Sequence, residues 1–520
     1  METEGEVTKE DGDLGFTILG DIENQKAEKV HRVLPNWLAN PSVIENVSDL
    51  KTCKLEDLSG LDEKLLAKLQ ECGFTHFFPV QQQVIPAILK CVRHGLQAGI
   101  GGFRPSDMCV SAPTGSGKTL AFVIPIVQAL MKRIVCQVRA LVVLPTRDLA
   151  MQVHQVFSRI SKGTGLKVVL TAGHKTLSQE QSSLVKEGNC GFMSLADIIV
   201  ATPGRLVDHI SKTEGFTLQY LRFLVIDEAD RMIDQISRDW IRQVEKAAYT
   251  SVDGSVVRKY HTKMTVANAF KIQLPLQKLL FSATLSQNPE KLMQLNLFQP
   301  RLFTSVVKAT NDPDSILKKE GEFVGKYTTP AGLTEHLIQC DAGEKPLMVL
   351  YLLEKFKLSQ VLCFTNTVEA THRLHLLLKL CRGSSVGEFS ANLTPAQRTR
   401  LLKQFKDGEV QILVCSDAMA RGMDIVEANA VICYDVPPFI KTYIHRVGRT
   451  ARAGREGTAY TLVLDKQRKR FESMLKDAGK GNVQWMKVKR KALQPHIEDY
   501  EGALQKLPEV LQNEEKGKKS

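Results

Sequence analysis

The chain has 520 residues, of which 43% are hydrophobic and 24% are charged, so wholesale disorder is excluded. At roughly 100–200 residues per domain, this length predicts two or three domains with flanking segments. The sequence contains no run of apolar residues long enough to span a bilayer, and we expect no membrane partner. The N-terminal segment is acidic and lacks the apolar core of a secretory signal, so we expect the protein to stay inside the cell.

The formal net charge is +12, and it is unevenly distributed along the chain. Residues 1–30 carry nine acidic residues and three lysines, whereas residues 466–520 carry fourteen bases and eight acids. The region between them is basic on its own, which favours an acidic partner such as nucleic acid. The eleven cysteines form no CxxC pair, and several lie in apolar runs, which predicts small buried side chains rather than zinc ligands.

The apolar pattern predicts two successive α/β domains. Residues 62–74 form an amphipathic helical pattern in which Leu65, Leu66 and Leu69 share one face. Short apolar runs bounded by Gly, Pro or Asp then alternate with helix-length segments, which is typical of parallel strands joined by βαβ crossovers. Six runs precede residue 290 and five follow residue 345: DMCVSAP, ALVVLP, VVLTAG, DIIVATPG, FLVIDEAD and KLLFSATL, then QVLCFTNT, VGEFSA, VQILVCSDA, AVICYDVP and GTAYTLVL.

Composition shifts predict the boundaries between these regions. We expect an N-terminal extension over 1–50, a first domain over 51–310, a linker rich in turn formers over 311–344, a second domain over 345–470 and a basic C-terminal tail over 471–520. The segment VHRVLPNWLANP in the extension is a candidate docking arm. DKQRKR and MKVKRK near the C-terminus predict either a basic helical surface or a nuclear-import signal.

The segment APTGSGKT follows a predicted strand and precedes a predicted helix, which is the setting of a phosphate-binding loop. Glycines let backbone N–H groups approach a phosphate, and the helix N-terminus adds partial positive charge. We expect Lys118 to reach the outer phosphates and Thr119 to ligate Mg²⁺. The predicted nucleotide contacts are Ala112 (where the usual pattern has Gly), Pro113, Thr114, Gly115, Ser116, Gly117, Lys118 and Thr119.

The segment FLVIDEAD places three carboxylates at the carboxyl end of an apolar strand, at the edge that faces the ligand crevice of a parallel sheet. We expect Asp227 to hold Mg²⁺ together with Thr119, through water. Glu228 is placed to orient, or to accept a proton from, the water that attacks a γ-phosphate. Asp230 is the third carboxylate of the run.

APTGSGKT together with IDEAD resembles the DEAD-box family of ATP-dependent RNA helicases, and the resemblance covers residues 55–465. Gly73, Phe74 and Gln81 resemble the family's adenine-reading Q motif, although Phe77 and Phe78 stand where the family usually has Pro-Thr. Further motifs follow in the family's order: PTRDLA, TPGR and SAT, then FT, QxxR, SDxxxRGxD and HRVGRTAR. Three of them depart from the family's pattern, at Asp148 (Glu in the family), Ser416 (Thr) and Ala451 (Gly).

This resemblance implies an α/β fold of two tandem RecA-like domains, each a parallel sheet flanked by helices, with an ATP cleft between them. It implies an RNA-stimulated ATPase with ATP and Mg²⁺ as cofactors and RNA, not DNA, as partner. The residues it assigns to catalysis are Lys118, Glu228, Arg449 and Arg452, the two arginines acting as fingers from the second domain. The resemblance also assigns nucleotide contacts outside the phosphate-binding loop, and these are Phe74, Gln81, Asp227 and Asp424. The residues that it assigns to the coupling of ATP binding and RNA binding are Asp230, Ser282, Thr284 and His445. The contacts to the RNA backbone are Arg147, Thr202, Gly204, Arg205, Thr365 and Ser416.

The resemblance also implies local strand separation, because closure around a bent single strand is incompatible with a continuous duplex. Two apparent insertions, at 92–107 and 247–278, are either solvated loops or docking loops for a partner or RNA. With the LPNWL arm and PVQQQVIP, they resemble the branch of the family that assembles the large ribosomal subunit. We therefore expect pre-rRNA and proteins of the pre-ribosomal particle as partners, in the nucleus and nucleolus. Two alternatives remain, an RNA clamp or assembly scaffold with little turnover and a DNA helicase of the same superfamily.

Overall fold

The computed structural model describes most of the two predicted domains. The described residues are 35–44, 53–93, 104–189, 191–234, 239–249, 276–283, 294–305, 332–390, 392–417, 428–451, 455–478 and 483–517, together with the single positions 292, 329 and 480. Three predicted site residues, Asp424, Thr284 and Arg452, lie outside them, as do most residues of the two predicted insertions.

The first domain contains an eight-stranded sheet and two small antiparallel pairs. Its strands are β1 (Ser42–Ile44), β2 (Cys53–Lys54), β3 (His76–Phe77), β4 (Met108–Ser111), β5 (Ala140–Val143), β6 (Val168–Thr171), β7 (Val185–Gly188), β8 (Gly191–Ser194), β9 (Ile198–Ala201), β10 (Phe223–Ile226), β11 (Gln277–Ser282) and β12 (Arg301–Ser305). The large sheet has the order β1-β12-β4-β11-β10-β5-β9-β6, and every neighbouring pair in it is parallel. β2 pairs with β3, and β7 pairs with β8.

The helices of this domain are α1 (Asn36–Ala39), α2 (Glu63–Glu71), α3 (Pro79–Arg93), α4 (Lys118–Leu130), α5 (Arg147–Ser161), α6 (Leu177–Leu184), α7 (Pro203–Lys212), α8 (Ala229–Asp234) and α9 (Trp240–Tyr249). The predicted amphipathic helix is α2, with Leu65 and Leu69 buried. All four residues of β5, β9 and β10 are buried, because helices cover both faces of the sheet.

The second domain is built on a seven-stranded sheet, again wholly parallel. Its strands are β13 (Leu333–Gln339), β14 (Val361–Thr365), β15 (Val386–Phe389), β16 (Ile412–Ser416), β17 (Ala430–Cys433), β18 (Gly457–Val463) and β19 (Gln484–Trp485), in the order β15-β16-β14-β17-β18-β13-β19. Its helices are α10 (Lys345–Lys355), α11 (Val368–Arg382), α12 (Pro395–Lys406), α13 (Ile440–Val447), α14 (Asp465–Asp477) and α15 (Ile497–Gly517). All eleven predicted strands are present, and the predicted fold class is confirmed.

Secondary structure also forms in segments that the sequence assigned to extensions. In the predicted N-terminal extension, Leu38 of α1, within the candidate arm, is buried in the core, and β1, directly after the arm, extends the first sheet beside β12. β13 lies within the segment predicted as a linker, yet it is hydrogen-bonded between β18 and β19. Within the predicted tail, β19 forms the edge of the second sheet.

The basic segment DKQRKR opens α14, and its outward-facing bases form one face of that helix. Lys466, Lys469 and Arg470 of this segment, together with Lys476 later in the helix, are all exposed at helical spacing. The remaining arginine of the segment, Arg468, stacks on the Trp485 ring at 4.7 Å and so joins α14 to the sheet edge. This placement accords with a basic helical surface. In the part of the chain that the structure describes, no helix is long and apolar enough to cross a membrane.

Candidate ATP site and RNA interface

The phosphate-binding loop connects β4 to α4, as the sequence predicted. Gly117, immediately before α4, has φ +82, a conformation that L side chains rarely adopt. The Lys118 ammonium donates to the carbonyl oxygens of Ala112 (2.6 Å) and Pro113 (2.8 Å), which holds it within the loop. The loop therefore combines a pre-positioned positive charge with a helix N-terminus, the arrangement that binds a polyphosphate.

The Q motif lies directly against this loop. Gln81, 1% exposed, accepts from the Phe78 N–H at 2.9 Å and donates to the Gly117 carbonyl at 3.0 Å. A Cβ on Gly117 would lie 2.3 Å from Gln81 Nε2 and 2.9 Å from the Phe78 ring, so the close packing also requires glycine there. Phe77 is buried in the core, while Phe74 packs partly buried against it. The two phenylalanines that replace Pro-Thr thus have structural positions, one in the core and one beside the loop.

The acidic run begins where β10 ends. Asp227 is buried and accepts from the Glu228 N–H at 2.9 Å, and Glu228 has φ +51, a strained value for a non-glycine residue. Burial, and then the neighbouring charge of Glu228, raise the pKa of Asp227 to about 7, while Lys118 opposes the shift. Mg²⁺ prefers hard carboxylate and hydroxyl oxygens, and its charge would favour the ionised form of this carboxyl. Asp227 and Thr119 therefore fit the predicted metal.

Asp230 connects the two domains. It is 4% exposed, and its Oδ1 accepts from Ser282 Oγ at 2.7 Å within the first domain. Its Oδ2 lies 3.3 Å from His445 Nε2, which comes from α13 of the second domain, and His445 lies 3.9 Å from Glu228. Three of the four predicted coupling residues therefore meet at one point, next to the predicted catalytic carboxylate.

Two further contacts cross the cleft between the domains. Thr114 Oγ1, in the phosphate-binding loop, donates to the Gly448 carbonyl at 2.8 Å. The next residue, Arg449, is 5% exposed in the turn after α13, so this predicted arginine finger lies one residue from the contact with the loop. Arg398 of α12 forms an ion pair with Asp148 of α5 at 3.6 Å.

The predicted RNA contacts of the first domain lie near the N-termini of two helices. Arg147 is exposed at the start of α5, which is capped by the Thr146 hydroxyl. Thr202 and Gly204 lie at the start of α7, where N–H groups are available to a phosphate. Arg205 is different, because its guanidinium donates to Glu180 Oε2 at 2.8 Å and to the Lys175 carbonyl at 2.8 Å.

In the second domain, Thr365 and Ser416 lie at the ends of two neighbouring strands, β14 and β16, and both are buried. The Thr365 hydroxyl is hydrogen-bonded to Thr371 Oγ1 at 2.7 Å, and Asn366 is the adjacent exposed position. Their assignment as RNA contacts stays a prediction, and in this arrangement the side chain of Thr365 faces the protein.

Arg446 holds the loops around this edge of the second sheet together. Its side chain is 1% exposed and makes two bonds to the Asp417 carboxylate, at 2.6 and 2.8 Å. It also donates to Asn366 Oδ1 at 2.7 Å and to the Asp435 carbonyl at 2.6 Å. One buried guanidinium therefore joins the segments that follow β14, β16 and β17.

Comparison with known proteins agrees with this geometry. Residues 78–292 match the DEAD/DEAH box helicase family, and residues 344–454 match the helicase conserved C-terminal domain. The ATP-dependent RNA helicase DDX51 of Mus musculus is 49% identical over 504 residues, which cover 96% of this chain and 79% of that protein. The chain belongs to the DEAD/DEAH box helicase family.

More distant members of the helicase family are also similar. The ATP-dependent RNA helicase dbp6 of Schizosaccharomyces pombe is 38% identical over 466 residues, which cover 86% of this chain and 75% of that protein. Among solved structures, Mss116p bound to ssRNA and AMP-PNP is 27% identical with a TM-score of 0.64, over 88% of this chain and 85% of that one. Dbp5 of S. cerevisiae bound to RNA and ADP BeF3 shares the fold, with a TM-score of 0.62 over 87% of this chain and 99% of that one.

Sequence reasoning missed the residues that hold the helicase motifs in place. Glu180 was not singled out, although it lies on the same helix face as buried Leu184, four residues away, where an acid is unusual. His209 was also missed, and its partner Glu180 is 29 residues away in the chain. Arg446 was quoted within a motif but was given no role. Only the signal at Glu180 was available in the sequence, because the other pairings depend on tertiary contacts.

Proposed function

We propose that this chain is an ATP-dependent RNA helicase that remodels ribosomal RNA locally during assembly of the large ribosomal subunit. The observation that carries the proposed ATPase activity is that predicted ATP-site residues from the two domains lie in contact. Asp230 and Glu228 of one domain lie against His445 of the other, and Thr114 of the phosphate-binding loop bonds to Gly448. A catalytic arrangement divided between two domains is complete only when the cleft is closed.

Each residue of the ATP site has a role that its position supports. Lys118 supplies positive charge to the outer phosphates, and Glu228 accepts a proton from, or orients, the attacking water. Arg449 brings positive charge from the second domain to the developing negative charge. When bound at Asp227 and Thr119, Mg²⁺ would neutralise phosphate charge. With these groups in place, the alternative of a clamp with little turnover gains no support.

Closure also accounts for the coupling between ATP and RNA. Asp230 joins the catalytic run to Ser282 on one side and to His445 on the other. The predicted RNA contacts, Arg147 among them, lie on the same two domains, so RNA and ATP both favour the closed arrangement and each strengthens the binding of the other. Contacts to phosphate and sugar give no sequence code, and preference for RNA over DNA then rests on the 2′-hydroxyl.

The ribosomal assignment rests on resemblance and charge. The LPNWL arm, PVQQQVIP and the two insertions resemble the large-subunit branch, and the net charge of +12 suits a highly charged RNA substrate. On this proposal the chain works in the nucleus and nucleolus, on pre-rRNA, among proteins of the pre-ribosomal particle.

Two measurements test the proposal. ATP hydrolysis is followed with matched single strands of RNA and of DNA, and strong stimulation by RNA alone is expected. Equal stimulation by DNA would instead favour the alternative hypothesis of a DNA helicase. The Glu228→Gln variant, which should hold RNA without releasing it, is then crosslinked in cells and its RNA sequenced. Enrichment of large-subunit rRNA precursors supports the assignment, and enrichment of messenger RNA instead would overturn it.

A further inference from the structure

A buried carboxylate lies behind the predicted RNA contacts of the first domain. Glu180 of α6 is 1% exposed, and its partners come from two other segments. Its Oε1 accepts from the Gly173 N–H at 3.0 Å, in the turn that follows β6. Its Oε2 accepts from Arg205 Nε at 2.8 Å and lies 3.0 Å from His209 Nε2, both in α7. One carboxylate therefore joins the turn to α7, and burial makes each of these bonds costly to lose.

Arg205 completes this connection from the opposite side. In addition to its bond to Glu180, its Nη2 donates to the Lys175 carbonyl at 2.8 Å, and its Nη1 lies 4.0 Å from Asp208. A guanidinium offers a rigid fork of donors, and the bonds to Glu180 and to the Lys175 carbonyl orient that fork into the protein. His209 is fixed as well, because its Nδ1 lies 2.8 Å from the Thr213 hydroxyl. The partners favour the tautomer in which Nε2–H donates to Glu180.

The turn held in this way supports the exposed contact residues. Gly173 has φ +77, and a Cβ there would lie 3.5 Å from the guanidinium of Arg147, so Arg147 lies over the turn. Thr202 and Gly204 open the same helix, α7, that carries Arg205 and His209. Displacement of the turn relative to α7 would separate Arg147 from the N–H groups at the start of α7.

We propose that Glu180 is a positioning residue for RNA binding, which acts through Arg205 and the turn around Gly173 and does not touch RNA. Arg205 then serves mainly to hold this turn rather than as a direct phosphate ligand. The inference rests on the proposed RNA-stimulated ATPase. Failure of that function would show as absent RNA stimulation in the wild type, whereas failure of the inference would show as unchanged RNA dependence in the variants.

The test compares RNA-stimulated hydrolysis in Glu180→Gln, Arg205→Gln and the double variant. Glu180→Gln removes the charge but keeps the shape, so the RNA concentration for half-maximal stimulation should rise about tenfold or more. The rate at saturating RNA and the ATP affinity without RNA should stay within about twofold, because the ATP site is not part of this network. The double variant should be no worse than the worse single variant. Multiplying effects would show that Arg205 binds RNA independently and would overturn the proposal.

A matched control and a second readout separate positioning from general damage. Asp208→Asn also neutralises a carboxyl beside Arg205, but one that is partly exposed, and it should leave the RNA dependence within about twofold. Hydrogen exchange of residues 172–176 in the RNA-free protein should be faster in Arg205→Gln than in the wild type. This second readout carries the test if Glu180→Gln does not fold. Unchanged exchange there, or unchanged RNA dependence in folded Glu180→Gln, would overturn the proposal.

Discussion

The two domains meet at a glycine, Gly448, where the contact with Thr114 leaves no space for a side chain. A Cβ on Gly448 would lie 2.3 Å from Thr114 Oγ1, far inside the 3.4 Å at which ordinary contact begins. The substitution Gly448→Ala also meets the Ile444 carbonyl at 2.9 Å, but that contact lies within the second domain and is the same whether the cleft is open or closed. The backbone poses no obstacle, since Gly448 has φ −70. The cost specific to closure therefore comes from Thr114.

The size of that cost follows from two contributions. The hydrogen bond from Thr114 to Gly448 is worth about 1 kcal/mol, and overpacking adds about 1–3 kcal/mol. Together they disfavour the closed arrangement by about 2–4 kcal/mol, which is about 30- to 700-fold in population. RNA-stimulated hydrolysis by Gly448→Ala should fall by a similar factor at subsaturating RNA, while ATP binding to the first domain should persist because the loop itself is intact.

The assay measures RNA-stimulated ATPase together with ATP-dependent RNA binding, and Thr114→Ala supplies the matched control. Thr114→Ala alone should lose only the hydrogen bond, for a loss of about tenfold or less. Thr114→Ala removes the oxygen that clashes with the new methyl group. The double variant, Gly448→Ala with Thr114→Ala, should therefore recover RNA-stimulated hydrolysis to nearly the level of Thr114→Ala alone. Wild-type closure in Gly448→Ala, or no recovery in the double variant, would refute the steric argument.

Three further predictions concern the same machinery. Ala451 has φ +57, a left-handed conformation that costs a residue with a side chain about 1–2 kcal/mol. Ala451→Gly removes this cost, but because glycine loses more backbone entropy on folding, the free energy of unfolding of the second domain, measured with denaturant, should rise by only about 0.5–1 kcal/mol. A lower free energy of unfolding in the variant would contradict the presence of strain at Ala451. With the pKa of Asp227 raised to about 7, protons compete with Mg²⁺ below that pH, so the Mg²⁺ requirement for ATP binding should rise about tenfold per pH unit below 7 and level off above 8. Asp227→Asn should abolish this pH dependence. The Asp148–Arg398 ion pair is partly exposed and contributes about 0.2–1 kcal/mol. Asp148→Asn should therefore weaken ATP-dependent RNA binding by about fivefold at most. A loss as large as that expected for Gly448→Ala would contradict this and show that the ion pair dominates closure.

The sequence was most informative where its local pattern matched the tertiary environment. Strands such as β5 and β9 are buried on both faces, so each is a continuous apolar run and was predictable. β13 was missed because LTEHLIQ mixes polar and apolar residues beside a turn-rich segment, and only its pairing with β18 fixes it as a strand. β19 has two residues, too few for any periodicity.

Within the site, predictability divided between motif residues and their supports. Lys118, Asp227 and Glu228 were identified because phosphate and metal chemistry dictates their types and spacing. Asp230 and His445 were named as coupling residues only through the family resemblance, because they are 215 positions apart in the chain and no local pattern predicts their contact. A motif match also does not show what a side chain contacts. Thr365 was predicted to bind RNA from its motif, but its hydroxyl is hydrogen-bonded to Thr371 inside the protein.

We propose that hydrolysis occurs in a cleft that ATP and RNA close together, with Glu228 acting on the attacking water. The most direct measurement is ATP hydrolysis with and without single-stranded RNA, in the wild type and in Glu228→Gln, together with RNA binding in the presence of ATP. We predict RNA-stimulated hydrolysis in the wild type, its loss in Glu228→Gln, and retained or stronger ATP-dependent RNA binding in that variant. Equal hydrolysis by the two proteins would contradict the role of Glu228, and RNA binding that is indifferent to ATP would contradict the closing cleft.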